Sequence, residues 1–406
     1  AWAVHLEPGN GPATVDDARE GSLPEAGEST WAAAPTAPAV GDGRHAGGAW
    51  LSADELEATS RTVAARLLGA GLSPGDRVLF SCSSSVELVV AHVAALRARL
   101  VVVPANPAYR AREMAHILAD ARPSAAVVDD GERGALLRGL DPDLLVIGPD
   151  VALREAPSEA GRLVAPDPGS PALMAYTSGT TGAPKGALHS HSSLLATARS
   201  VALAWRWASA DRLVLCLPLF HGHGLCVGLH GTLLVGGSAV LLPAFDVDAV
   251  FDAASHHGAS LFFGVPTMYH RVALSARARE LGRMRRCVSG SAPLPADLHR
   301  ELASASGQQI LERYGTSETL MNVSNPHDGE RRPGTVGFPL PNVDVRLDAD
   351  GEILVRGPNV FTGYWGQPER TAEVMQDGWY STGDLGELDH DGYLRILGRS
   401  RELIIT

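Results

Sequence analysis

The sequence predicts an α/β fold: two doubly wound αβ subdomains followed by a small β-barrel-like subdomain. Three observations predict it. Short apolar runs alternate with stretches of helical period from about Val78 to Val128, and again from about Ala172 to Ile310, the pattern of parallel strands covered by helices on both faces. From about Gly334 the texture changes to short alternating strands separated by turn signals, as in a small barrel. The length, 406 residues, accommodates two or three such units.

Taken in chain order, residues 1–47 are rich in Ala, Gly, Pro, Glu and Thr without a sustained period, and they read as a flexible extension with Trp31 docked on the body. The body is expected over 48–397, divided near 168 and near 335. It opens with a capping box, Ser52 and Glu55, followed by the helical stripe Leu56, Val63, Leu67 and Leu68, which Gly69 and Gly71 stop. Strands are expected at Val78–Cys82, Leu100–Val103 and Ala125–Val128, with helices starting at Val86 and Arg112 between them. The second alternating region places strands at Leu213–Leu217, Ala239–Leu242, Leu261–Phe263 and Cys287–Ser289. The β unit should contain Val343–Leu347, Glu352–Val355 and Tyr393–Leu397. The longest apolar stretch, Leu225–Leu242, is interrupted by His230 and by Gly236 and Gly237, so membrane insertion is not expected.

Charge narrows the function. The formal net charge of −12 argues against a nucleic-acid partner bound by a phosphate-neutralising surface. The chain contains one lysine, Lys185, against 33 arginines. A lysine retained where every other cation is arginine is a candidate for a place that a planar fork would not serve. The four cysteines form neither a disulfide spacing nor a C-x-x-C clip, which fits a reducing cytoplasm, and no charged-then-apolar leader is visible.

The stretch Tyr176–Gly186, YTSGTTGAPKG, has the chemistry of a phosphate loop. Gly179, Gly182 and Gly186 let backbone N–H groups approach a polyphosphate. Thr177, Ser178, Thr180 and Thr181 add short donors, and Lys185 supplies a point charge. The spacing is not that of a Walker loop, which needs lysine directly after glycine, so a kinase or ATPase is disfavoured. The alternative reading is a Ser/Thr/Gly-rich surface turn.

This loop resembles that of the adenylate-forming superfamily of acyl-CoA synthetases, luciferases and peptide-synthetase adenylation domains. Further segments match in the same order: LPLFHGHGL around His221, SGSAPL at Ser289–Leu294, ERYGTSET at Glu312–Thr319, and YSTGDL at Tyr380–Leu385 followed by GRSRELII at Gly398–Ile405. The resemblance implies that ATP is bound by the phosphate loop, by Ser291, Ala292 and Pro293, and by the segment Glu312, Arg313, Tyr314, Gly315, Thr316 and Ser317, with adenine against Tyr314. It implies that Glu318 holds Mg2+, Asp384 accepts the ribose hydroxyls, and Arg399 reaches ribose or phosphate. Thr177, Lys185, His221 and Glu318 are the implied catalytic set. For Glu318 the bland alternative is a solvated charge, and for Asp384 a turn residue. Neither H-x-H pair, His189 with His191 or His221 with His223, has metal-ligand partners at suitable spacing, so no zinc site is expected.

The implied reaction joins a carboxylic acid to ATP, giving acyl-AMP, and then passes the acyl group to CoA. Loading of a carrier protein, or nucleotide binding without turnover, are the alternatives. By the resemblance, the acid pocket comprises His221, Gly222, Gly264, Arg271, Gly290, Ser291 and Thr316. Amino-acid-activating relatives have an aspartate in the position of His221. Without it a buried ammonium would be unpaired, which excludes an α-amino acid. FFGVPTMYHR and ERYGTSETLMN are most similar to malonyl-CoA synthetases, in which the counterpart of Arg271 clamps a second carboxylate. Arg271 reads equally as a helix-surface residue. Gly222 and Thr316 are smaller than their counterparts, so the expected acid is bulkier than malonate, with malonate or methylmalonate the runner-up. Residues 398–406 correspond to a hinge, and the small C-terminal domain beyond it is expected to be absent.

Overall fold

The computed structural model describes residues 21–43, 50–151, 163–177 and 184–400. Two mixed sheets and one antiparallel sheet account for its strands. The seven-stranded sheet runs, from edge to edge, Gly363–Tyr364, Lys185–Ser190, Pro171–Thr177, Val101–Pro104, Arg77–Ser81, Ala125–Val128 and Leu145–Ile147. The nine-stranded sheet runs Phe338–Pro339, Val323–Ser324, Leu311–Tyr314, Arg286–Ser289, Leu261–Gly264, Arg212–Leu215, Ser238–Leu241, Pro38–Asp42 and Trp50–Ser52. The third sheet is Asp344–Leu347, Glu352–Arg356, Trp379–Leu388 and Met375–Gln376, with Leu394–Arg399 also paired to Trp379–Leu388.

The central strands of the two large sheets are parallel and covered on both sides, so they carry continuous apolar runs such as Leu213, Val214 and Leu215, all fully buried. The helix Val86–Arg97 is buried on nearly its whole circumference, as expected of a helix that is apolar all round. One contiguous core joins Val78 and Val102 of the first sheet to Leu213, Leu241 and Phe263 of the second through this helix. The two sheets therefore form one packed body.

The capping box at Ser52 forms as expected, with the Glu55 backbone N–H on the Ser52 hydroxyl and the Glu55 carboxylate on the Ser52 N–H. The segment around Leu225–Leu242 becomes a π-helical stretch, His223–Leu229, then the short helix His230–Leu234 and the buried strand Ser238–Leu241. Among the described residues no helix is long and apolar enough to cross a membrane.

The expected divisions need two corrections. Of the extension foreseen over residues 1–47, residues 22–43 are part of the body: Leu23–Ala33 is a helix with its own Ser22–Glu25 capping box, and Trp31 is buried with its indole N–H on the Leu233 carbonyl. Pro38–Asp42 is an interior strand, parallel to Ser238–Leu241. The three units also interleave. Pro171–Thr177 and Lys185–Ser190 complete the first sheet, Trp50–Ser52 joins the second, and Gly363–Tyr364 leaves the β unit to pair with Lys185–Ser190. A low-hydropathy segment can still be a strand when its register neighbours supply the burial, which composition does not reveal.

Candidate active site

Thr177 and Lys185 end two antiparallel strands and sit opposite each other in register. The residues between them that carry the rest of the phosphate-loop reading, Ser178, Gly179, Thr180, Thr181 and Gly182, lie outside the described residues. Lys185 is half-buried, and its ammonium lies 4.7 Å from the centre of the Tyr364 ring. The same Tyr364 donates its hydroxyl to Glu318 Oε1 at 2.8 Å. Glu318 is buried, and among the described residues no arginine, lysine or histidine lies within ion-pair distance of it. Burying a carboxylate without a cation is costly, so this oxygen pair suits a hard cation.

The turn that carries Glu318 is held from several sides. Gly315 approaches the Leu320 carbonyl so closely that a Cβ would collide with it, and Leu320 has φ +55°, in the left-handed region. His189 bonds the Ser317 carbonyl at 2.7 Å through Nε2, Thr316 and Thr319 share a hydroxyl contact at 3.0 Å, and the Asn359 amide donates to the carbonyls of Thr319 and Met321. Asn359 and Tyr364 escape a reading by motif because neither is near these partners in sequence.

On the strand Leu311–Tyr314 successive side chains face opposite ways. Tyr314 donates its hydroxyl to Asp384 Oδ2 at 2.6 Å, and Arg399 Nε pairs with Asp384 Oδ1 at 2.8 Å across the strand pair that sets Asp384 opposite Arg399. Burial, then the Asp384 charge, pushes the Tyr314 phenol far up, so it stays a donor. Tyr314, Asp384 and Arg399 therefore come together as one group.

Glu312 and Arg313 are buried with part of their polar surface unpaired. Glu312 accepts the Leu294 backbone N–H at 2.8 Å, which ties it to the turn Ser291, Ala292 and Pro293, while its Oε2 has no partner among the described residues. Desolvation pushes its carboxyl up to about 7, against the pull of the Leu294 bond. Ser291 has φ +69°, an uncommon conformation for a side-chain-bearing residue, and its hydroxyl lies 3.4 Å from His223 Nδ1. Arg313 has both Nε and Nη2 buried without partners, and burial alone brings its guanidinium down to about 9. It stays charged at neutral pH. Its field, after burial itself, depresses both His221 and His223, so these imidazoles are neutral. Gly290 lies against it, and a Cβ there would displace the guanidinium.

The remaining expected pocket residues are placed as follows. His221 keeps an exposed edge while the surrounding protein desolvates the rest of its ring, and its Nδ1 receives the His223 backbone N–H at 3.4 Å. A Cβ at Gly222 would meet only Leu320 Cδ2, at 3.6 Å, whereas one at Gly264 would press on Tyr269 and Phe262 at 3.2 and 3.3 Å. Arg271 is exposed on the helix Pro266–Ala273, with its guanidinium 4.9 Å from the centre of the Phe245 ring. The buried guanidinium beside the histidines is thus Arg313, which the motif reading had grouped with the nucleotide residues.

Residues 28–365 match the model of the AMP-binding enzyme family. The chain is similar to a malonate–CoA ligase from Arabidopsis thaliana, 33% identical over 82% of this chain and 61% of that protein, and to a feruloyl-CoA synthase from Amycolatopsis sp, 36% identical over 92% of this chain and 77% of that protein. It resembles ATP-bound MatB from Rhodopseudomonas palustris with a TM-score of 0.85 at 38% identity, over 94% of this chain and 80% of that one. The chain spans less than two thirds of the Arabidopsis ligase. With most of its length matched and its relatives acting as CoA ligases, the chain belongs to the AMP-binding enzyme family.

Proposed function

We propose that the chain carries the carboxylate-activating half of an AMP-forming acid–CoA ligase. The observation that supports this is that Tyr314, at one end of the segment 312–318, joins Asp384 and through it Arg399, while Glu318, at the other, is linked through Tyr364 to Lys185. In this reading adenine and ribose are taken by Tyr314, Asp384 and the turn Ser291–Pro293. Lys185, Thr177 and residues 178–182 take the phosphates. Glu318 is the carboxylate that would hold Mg2+, which neutralises phosphate charge when bound. An oxygen of the acid attacks the α-phosphorus, the bond to pyrophosphate breaks, and acyl-AMP remains; the CoA thiol then takes the acyl carbon and AMP leaves. The chain's own contribution to the first step is orientation plus charge stabilisation.

For the acid, the buried and half-unpaired Arg313 favours a substrate with a second negative group. An isolated guanidinium in a desolvated place is costly, and a second carboxylate would satisfy it with charge-assisted hydrogen bonds. The names of the malonate ligase and of MatB are consistent with this. A second reading, a bulkier non-amino acid, is supported by the small residue at Gly222, where a Cβ would make only an ordinary contact with Leu320. Thiol transfer to a carrier protein in place of CoA has no separate observation in its favour.

The experiment is acid-dependent pyrophosphate release, with malonate, methylmalonate and large cyclic acids supplied in turn. Lys185→Ala and Glu318→Ala should each lose about 2–4 kcal/mol of transition-state stabilisation while remaining folded. Gly222→Val should leave malonate turnover intact but cost a bulky acid about 1–3 kcal/mol. Pyrophosphate release independent of any acid would count against activation of a carboxylate.

A further inference from the structure

Lys185 and Glu318 are opposite charges that touch the same side chain and do not pair with each other. No ion pair within 4.0 Å joins them. A lysine near a buried carboxylate would ordinarily close on it, because in a poorly solvated place the attraction between opposite charges is strong. A closed pair would withdraw both groups from ATP and Mg2+. We infer that Tyr364 is a positioning residue that keeps the phosphate lysine and the metal carboxylate apart and aimed, with its ring face offered to Lys185 and its hydroxyl to Glu318.

The geometry that makes this possible is set by strand register. Tyr364 pairs with Ala187 in the antiparallel contact between Gly363–Tyr364 and Lys185–Ser190. Lys185 is two residues from Ala187, so it lies on the same face of the sheet and is the diagonal neighbour of Tyr364, within reach of an aromatic ring. The tyrosine itself has little freedom. Its backbone N–H is bonded to the Thr371 hydroxyl at 2.9 Å, and the next N–H, of Trp365, to the Gly186 carbonyl at 2.8 Å. Gly363, at φ +146°, lets the chain pass Thr371, where a Cβ would press on that side chain at 2.9 Å. Phe361 packs edge-on against both Tyr364 and Tyr380, with ring centres 4.9 and 5.3 Å apart. The backbone of Glu318 is tied to the same segment, its carbonyl accepting the Phe361 N–H at 2.7 Å.

The hydroxyl is suited to a lasting role as donor. Its partner is a carboxylate oxygen, which can only accept, so the phenol supplies the proton of the 2.8 Å contact. Binding to Oε1 leaves the other carboxylate oxygen for a cation, and the cation–π contact holds the ammonium without neutralising it. An arginine in place of Lys185 would stack flat on such a ring and offer its fork to Glu318, which gives a physical reason for a lysine here in a chain otherwise built with arginine.

This inference rests on the assignment of Glu318 and Lys185 to Mg2+ and phosphates, and the test separates the two. ATP affinity is measured by calorimetry with and without Mg2+ for the unmodified protein, Tyr364→Phe, Tyr364→Leu and Tyr364→Leu combined with Glu318→Gln. If Mg2+ does not change the ATP affinity of the unmodified protein, the assignment of Glu318 fails. If it does, Tyr364→Phe, which keeps the ring and removes the donor, should need about tenfold more Mg2+ for the same gain, with Mg2+-free affinity unchanged. Tyr364→Leu should also lower the Mg2+-free affinity, because Lys185 closes on Glu318, and adding Glu318→Gln should restore it by releasing the lysine. A merely structural tyrosine would show no such rescue. A normal Mg2+ response in Tyr364→Phe, or a double variant no better than Tyr364→Leu, overturns the inference.

Discussion

Asp384 and Arg313 are both buried charges within one strand's reach of Tyr314, yet their surroundings are opposite in kind. Asp384 has a tyrosine hydroxyl on one oxygen and an arginine on the other. Arg313 has two nitrogens with no partner among the described residues, and across the strand Glu312 has a free oxygen. The first region is already paired within the protein, so under the proposed function it would meet a sugar with its side chains held in place. The second is charged and incomplete, and under the proposed function its missing partner would be the second negative group of the acid. A group that costs stability in the free protein and is repaid on binding marks where specificity is decided.

The comparison breaks most clearly at Arg313. Arg313→Met should reduce acid-dependent pyrophosphate exchange on malonate by about 2–5 kcal/mol, by leaving the second carboxylate unpaired. The same change should raise thermal stability, by about 1–4 kcal/mol, since an unpaired buried charge is replaced by an apolar chain of similar reach. Loss of activity together with a lower melting midpoint would mean that Arg313 is satisfied in a way its surroundings do not suggest.

The same operation on the complete side should have the opposite sign. Asp384→Ala leaves the buried Tyr314 hydroxyl without its acceptor, so it should lower stability by about 1–3 kcal/mol and weaken AMP as well as ATP, while sparing recognition of the acid. Calorimetry with AMP alone and a melting curve suffice; unchanged AMP affinity would remove Asp384 from the ribose site.

The smallest effect concerns pH. Glu312 titrates near 4.5 when unfolded and about 7 when folded, because burial favours its neutral form. Between those values the folded chain holds a proton that the unfolded chain has released. Its contribution to stability is therefore largest on the acid side and declines as pH rises through the window, by on the order of 3 kcal/mol. Glu312→Gln should flatten that decline relative to the parent. A steeper fall in the variant between pH 5 and 7 would contradict the burial account.

Much of this could be read in the sequence. The helix opening at Ser52 and the buried parallel strands from Arg77 to Val128 and from Arg212 to Ser289 follow from local pattern, and Tyr314, Asp384 and Arg399 could be singled out from motifs although their contacts with one another could not, because capping and periodicity are properties of short segments. Membership of a family was legible for the same reason: its chemistry is carried by contiguous residues.

Tertiary structure alone decided what depends on partners far apart in the chain. Pro38–Asp42 is a strand because Ser238–Leu241 lies beside it, not because of its own composition. Arg313 has two buried nitrogens without a partner among the described residues and its charge acts on His221 and His223, while Arg271 is exposed over the Phe245 ring, and neither environment could be read from motif position. Tyr364 reaches Lys185 and Glu318 only because a two-residue strand adds to the edge of the first sheet. Sequence fixes what each segment prefers, while burial and charge pairing are sums over neighbours that exist only once the chain is packed.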